Sequence, residues 1–172
     1  MMKKQIFLVS VILLTVLSCK KEENNYIVND TFDVKAYKME QIGSLFESIA
    51  RQPEAADLLI NSTEMLYSDY TELLPLSDKA IELRGEARGI AFSMLFSSIA
   101  RQPEAFDVLD SAATKFLGTY DPSYISDELA DITKIYAMTG LNEAIARQPE
   151  ADSLFNIVSK KYLNYEIISN QK

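Results

Sequence analysis

One seven-residue string occurs three times in this chain, and it restricts the possible folds more than any other feature. The string Ile-Ala-Arg-Gln-Pro-Glu-Ala begins at Ile49, Ile99 and Ile145. The copies therefore recur at intervals of about 46 to 50 residues, a period typical of tandem arrays in which each unit packs against its neighbours. We expect three structural units, each built around one copy of the string.

Apolar residues on both sides of each string recur at the spacing of an amphipathic helix. After the second string, for example, Phe106, Leu109 and Ala113 fall on one face. No segment alternates between apolar and polar residues, so a sheet is not expected. The sequence predicts an all-α fold of three tandem helix–turn–helix repeats, which form either a short solenoid or a closed bundle. The predicted repeats cover residues 32–76, 77–125 and 126–168.

The middle of each string favours a tight corner between two helices. Proline disfavours the helical conformation in the residue before it, so Gln52 and its equivalents should end the first helix. Proline suits the first position of the next helix, and the charges of Arg51 and Glu54 match the two helix ends. Alternatively, each proline only kinks one longer helix, at a cost of about 3 kcal/mol. The corner predicts six helices, over residues 32–51, 53–70, 78–101, 103–120, 127–147 and 149–168.

The segments between the strings supply helix starts and close contacts. Ser77 and Ser126 each precede an aspartate and can cap the next helix. Gly85 and Gly89 have a spacing that, in a soluble helix, indicates close packing against a neighbour.

The N-terminus has the parts of a secretory signal peptide. Lys3 and Lys4 precede an apolar run over residues 6–17, which is too short for a membrane-spanning helix of about 20 residues. A small residue, Ser18, ends the segment. Residues 1–18 are therefore predicted to be removed, although a buried helix or an uncleaved anchor is the alternative interpretation.

The four residues from Val16 to Cys19, Val-Leu-Ser-Cys, resemble the lipobox of bacterial lipoproteins. The resemblance implies cleavage before Cys19 and acylation of that residue, which is the only cysteine in the chain. It also implies anchoring of the protein in the membrane through that lipid. The next residues, 20–23, resemble the tail that exports lipoproteins to the cell surface in Bacteroidetes. Residues 19–31 are thus predicted to be the lipidated cysteine and a flexible tether at the outer membrane, either periplasmic or on the surface.

The order helix, proline turn, helix resembles tetratricopeptide and HEAT-type repeats over residues 32–168. Tetratricopeptide repeats have a period of about 34 residues and HEAT repeats one of about 40–47. The resemblance implies a stacked array that binds peptides or proteins.

The repeated polar residues have two interpretations. In the structural one, arginines and glutamates form an exposed ladder of ion pairs, each worth about 0–1 kcal/mol. In the other, they form a recognition strip, because arginine and glutamine present several donors to a carboxylate or a peptide backbone. The residues concerned are Arg51, Gln52, Pro53, Glu54, Arg101, Gln102, Pro103, Glu104, Arg147, Gln148, Pro149 and Glu150.

Composition narrows the function further. The net charge of −8 argues against nucleic acid as a partner. The chain has no histidine, so it lacks the commonest general base and the commonest metal ligand. No motif for a metal, a cofactor or a catalytic nucleophile is present. Asp57 and Asp107 occupy matching positions, but their place at helix starts already explains them. We therefore expect a non-enzymatic binding or assembly module, with a structural subunit of an envelope complex or a carboxylate-based hydrolase as alternatives.

Overall fold

The computed structural model describes residues 33–67 and 77–167 of the chain. In these two ranges the chain forms six α-helices and no β-strand, so the predicted all-α fold is confirmed. The predicted signal peptide (1–18) and tether (19–31) lie outside the described residues. The helices are α1 (Val34–Arg51), α2 (Ala56–Tyr67), α3 (Asp78–Arg101), α4 (Phe106–Leu117), α5 (Asp127–Arg147) and α6 (Asp152–Leu163).

Each repeated string forms the same corner. Gln52, Gln102 and Gln148 leave the helical conformation, with φ of −144°, −142° and −141° and ψ of 70°, 74° and 69°. The proline then begins a three-residue 3₁₀ turn that leads directly into the second helix. Because each first helix ends before its proline, the alternative of three long kinked helices is wrong. The 3₁₀ turns are Pro53–Ala55, Pro103–Ala105 and Pro149–Ala151.

The second helices are shorter than predicted. Their α-helical part begins three residues after each predicted start, because an i→i+3 hydrogen bond across each proline tightens the first turn. Helix α4 ends at Leu117 rather than at residue 120, since Gly118 adopts a positive φ of 66°. Helix α6 ends at Leu163 rather than at residue 168, since Asn164 is left-handed. The predicted end of α2 at residue 70 lies outside the described residues.

Serine caps begin the first helices of the second and third repeats, as predicted. The Ser77 hydroxyl accepts a hydrogen bond from the Ala80 N–H at 3.2 Å, and the Ser126 hydroxyl accepts one from the Leu129 N–H at 3.3 Å. Asp33 caps α1 in the same manner. These side chains satisfy donors that would otherwise lack a partner at a helix start.

The first helices, α1, α3 and α5, pack side by side with α3 in the middle. Residues at matching or adjacent positions of neighbouring repeats meet: Gly43 lies against Met94, and Gly140 lies against Ser93. The three helices therefore run parallel, and all three corners lie at one end of the array. The second helices cover them, since α4 packs on α1 and α3, and α6 packs on α3 and α5.

The interior is apolar and tightly packed around α3. Leu95 and its equivalents in the other two repeats are all buried. The expected role of Gly85 and Gly89 in close packing is confirmed. A Cβ on Gly85 would lie 2.7 Å from the Ile132 Cγ2 atom, and one on Gly89 would lie 2.6 Å from the Thr133 carbonyl oxygen.

Candidate functional site

The three strings present their polar residues at one end of the array, because the first helices run parallel. We call the following twelve residues the corner surface: Arg51, Gln52, Pro53, Glu54, Arg101, Gln102, Pro103, Glu104, Arg147, Gln148, Pro149 and Glu150. All the arginines and glutamates among them are exposed, whereas the glutamines and prolines range from half-buried to exposed. The charged groups of the corner surface are thus in contact with water.

The predicted ladder of ion pairs within the corner surface is not present among the described residues. Arg51 pairs instead with Glu47, one turn earlier in the same helix, at 3.4 Å. The Gln52 amide donates to the carboxylate of Glu54. Exposed long side chains gain too little from pairing to hold one geometry, which explains why the ladder does not form. The arginines therefore keep most of their donors for water or for a partner.

The third corner differs from the other two in burial, although its sequence is the same. Ile49 and Ile99 are completely buried, whereas Ile145 is only half-buried and Ala146 is exposed. The second helix of a following repeat packs on the first helix of each of the first two repeats, and within the described residues no following repeat packs on the third. The apolar residues beside the corner surface are thus less buried in the third repeat than in the first two.

A cavity of about 380 Å³ lies at the opposite end of the array, near the starts of the first helices. Helices α1, α3 and α5, the end of α4 and the segment after it contribute to its walls. Four apolar side chains line it, namely those of Met39, Leu117, Ile125 and Leu129. The volume falls within the range of about 300–1,000 Å³ that is usual for small-molecule sites.

Arg88 is the most deeply buried charged residue of this cavity, with 5% of its surface exposed. Its Nη2 atom donates to the Gly118 carbonyl oxygen at 3.1 Å, and its Nη1 atom donates to that of Leu117. Its guanidinium also lies 5.0 Å from the centre of the Phe92 ring. Arg88 therefore satisfies carbonyl groups at the end of α4. Burial lowers the pKa of Arg88 to about 10, so the group is charged at neutral pH.

Two further charged residues line the cavity. Arg84 pairs with Asp33 at 2.8 Å, and both side chains are largely buried. Asp121 accepts a hydrogen bond from the Ser123 N–H at 2.8 Å. Within residues 33–67 and 77–167, no carboxylate pairs with Arg88 and no cation pairs with Asp121. Arg88 and Asp121 thus line the same cavity without an ionic partner among these described residues.

The sequence contains a signal for the burial of Arg88 that helical periodicity alone does not reveal. Arg88 lies three residues after Gly85, next to Gly89, and four residues before Phe92, and all of these positions are buried. A charged residue inside such a run is unusual, because buried charges need compensating partners. The position of Arg88 within this run predicts that the arginine is buried, but it does not predict its partners.

The remaining candidate features have simple structural roles. Asp57 and Asp107 are exposed and occupy the first turns of α2 and α4, where acidic side chains are favoured by the helix dipole. Among the described residues, no group of three or more potential ligands could hold a metal ion. In the same part of the chain, no helix is long and apolar enough to cross a membrane.

Comparison with protein families, with curated proteins and with solved structures finds no match for this chain.

Proposed function

We propose that this protein is a lipid-anchored component of the cell envelope that acts as a non-enzymatic binding or assembly module. The lipid would be attached at Cys19, and the corner surface would contact a protein or peptide partner. The observation that carries the binding role is the threefold repetition of one exposed polar corner at one end of the array. Anchoring is supported by the lipobox-like sequence before Cys19.

The chemistry of the corner surface supports recognition of carboxylates or of a peptide backbone. An arginine guanidinium donates hydrogen bonds in a planar fork that matches a carboxylate. Arg101 and Arg147 make no side-chain hydrogen bond or ion pair to a described residue, so their donors need not be released before binding. Together with Arg51, which pairs with Glu47, they place three arginines on parallel helices and offer repeated contacts to one extended acidic segment.

The lipid anchor is tested by metabolic labelling with palmitate. The wild-type protein should take up the label and fractionate with membranes, since two or more acyl chains give stable anchoring. The Cys19→Ala variant should lose both properties. A Cys19→Ala protein that is still labelled would refute lipidation at this residue.

The corner surface is tested by replacing Arg51, Arg101 and Arg147 together with alanine. A matched control replaces Lys79, Lys134 and Lys160 with alanine, which removes the same charge from half-buried or exposed positions outside the corner surface. Crosslinkers placed at the three corner glutamines should capture a partner in cells that express wild-type or control protein, but not in cells that express the arginine variant.

The melting temperature of each variant completes this test. Exposed ion pairs contribute about 0–1 kcal/mol each, so both variants should remain folded. Lost stability with unchanged crosslinking would reject a binding role for the corner surface. Capture of one stoichiometric membrane protein would favour an accessory subunit of an envelope complex over a binder of soluble ligands.

A further inference from the structure

The cavity near the starts of the first helices has apolar walls and two charged side chains of opposite sign, Arg88 and Asp121. Arg88 is buried and carries its charge at neutral pH, while Asp121 is partly exposed. Neither forms an ion pair with a described residue, whereas Arg84 in the same cavity is paired with Asp33. Among the described residues that line the cavity, the charged groups without an ionic partner are thus one cation and one carboxylate.

The hydrogen bonds of Arg88 do not compensate its charge fully. The two carbonyl groups at the end of α4 carry only the partial negative charge of a helix terminus, about half of an elementary charge. They also use only part of the five donors of the guanidinium. An added carboxylate would supply the remaining charge and accept further donors.

We propose that this cavity binds a small zwitterion with an apolar body, such as an amino acid with an apolar side chain or a short apolar peptide. The carboxylate of the ligand pairs with Arg88, and its ammonium group pairs with Asp121. The side chains of Met39, Leu117 and Leu129 contact the apolar body. This inference goes beyond the proposed function, since it depends neither on the lipid nor on the corner surface.

Calorimetric titration of the purified protein with defined probes tests the proposal. L-Phenylalanine carries both charges, 3-phenylpropionate lacks the ammonium group, and 2-phenylethylamine lacks the carboxylate. L-Phenylalanyl-L-alanine represents a short peptide and distinguishes that source of zwitterions from free amino acids. At least one of the two zwitterions should bind about tenfold more tightly than either singly charged probe, because each charge-assisted pair contributes to binding.

The Asp121→Asn variant isolates one of the two pairs without removing the local hydrogen bond, since an amide oxygen can still accept from the Ser123 N–H. In this variant the preference for the zwitterion over 3-phenylpropionate should disappear. The matched control is Asp131→Asn, which removes an exposed carboxylate from α5 outside the cavity. It should bind all probes like the wild type.

Three results would overturn the proposal. The first is that neither zwitterion binds at millimolar concentration. The second is that the zwitterions bind no more tightly than 3-phenylpropionate and 2-phenylethylamine. The third is that Asp121→Asn retains the preference of the wild type. None of these results depends on the lipid anchor or on the corner arginines, so they leave the proposed function to its own tests.

Discussion

The two interfaces between repeats differ, although the corners that build them are alike. The first interface joins α1 and α2 to α3 and α4, and the second joins α3 and α4 to α5 and α6. At the first interface, a Cβ on Gly43 would meet only the flexible side chain of Met94. At the second, Cβ atoms on Gly89 and Gly140 would meet the backbone of the neighbouring helix. The second interface therefore brings helix backbones closer together.

The second helices show the same difference. Lys115 of α4 pairs with Glu64 of α2 at 2.7 Å, and both side chains are well exposed. At the second interface Lys161 pairs with Asp110 at 2.6 Å, and the buried Tyr162 hydroxyl donates to the same carboxylate at 2.7 Å. A repeated sequence thus determines the corner, whereas the residues between the strings determine how tightly each pair of repeats is joined.

The largest expected effect comes from adding a methyl group at each interface. Gly140→Ala places a Cβ about 2.5 Å from the Ser93 Cα atom, so a helix must shift. We expect a loss of about 1–3 kcal/mol in the free energy of unfolding, measured by urea denaturation. Gly43→Ala should be neutral or stabilising by up to about 1 kcal/mol, because Met94 can move and alanine favours the helix. Equal losses in the two variants would show that the interfaces do not differ in closeness.

A smaller effect is expected from removing one hydroxyl group. Tyr162→Phe introduces at the second interface the residue that α4 carries at the matching position, Phe116. The variant loses the hydrogen bond to Asp110, and we expect a destabilisation of about 1–2 kcal/mol. Tyr165→Phe, at a more exposed tyrosine, should change stability by less than about 0.5 kcal/mol. A Tyr162→Phe protein as stable as the wild type would show that the network contributes nothing.

Alkaline pH offers a reversible way to weaken the second interface. Burial raises the pKa of Tyr162 above the ordinary value of 10.0. Above pH 10 the unfolded chain has therefore lost a proton that the folded chain retains, and the stabilisation from Tyr162 decreases as the pH rises toward its folded pKa. The stability difference between wild type and Tyr162→Phe should be constant below about pH 9 and decrease above pH 10. A difference that stays constant up to pH 11 would contradict this assignment.

The smallest effect separates the two lysines. Lys115→Ala removes an exposed pair and should cost less than about 0.5 kcal/mol. Lys161→Ala removes a less exposed pair and a contact with the Tyr162 ring, 5.0 Å from its centre, so we expect about 0.5–1 kcal/mol. Thermal unfolding at low and high salt checks both values, since salt should diminish the effect of Lys115→Ala more. A larger loss of unfolding free energy in Lys115→Ala than in Lys161→Ala would contradict this prediction.

Local chemistry allowed much of the fold to be predicted. The proline corners and the serine caps depend on a few neighbouring residues, so their positions could be read from the sequence. The ends of α4 and α6 were missed because they depend on single residues, Gly118 and Asn164, that adopt positive φ. The pairing of Arg51 with Glu47 and the partners of Arg88 were missed for other reasons. The Arg51–Glu47 pair follows the i,i+4 spacing of a helix, but the prediction considered only partners within the repeated string. The partners of Arg88 depend on which segments packing brings together, and no local spacing contains that information.

The partial exposure of Ile145 and Ala146 has a consequence for how such a chain can change in length. In the described part of the protein, Ile145 and Ala146 belong to the only copy of the string on which no following repeat packs. A fourth repeat added beside α5 and α6 could pack on Ile145 and Ala146, because the equivalent residues of the first two repeats are already buried. Growth by duplication would therefore require no redesign of the existing joints.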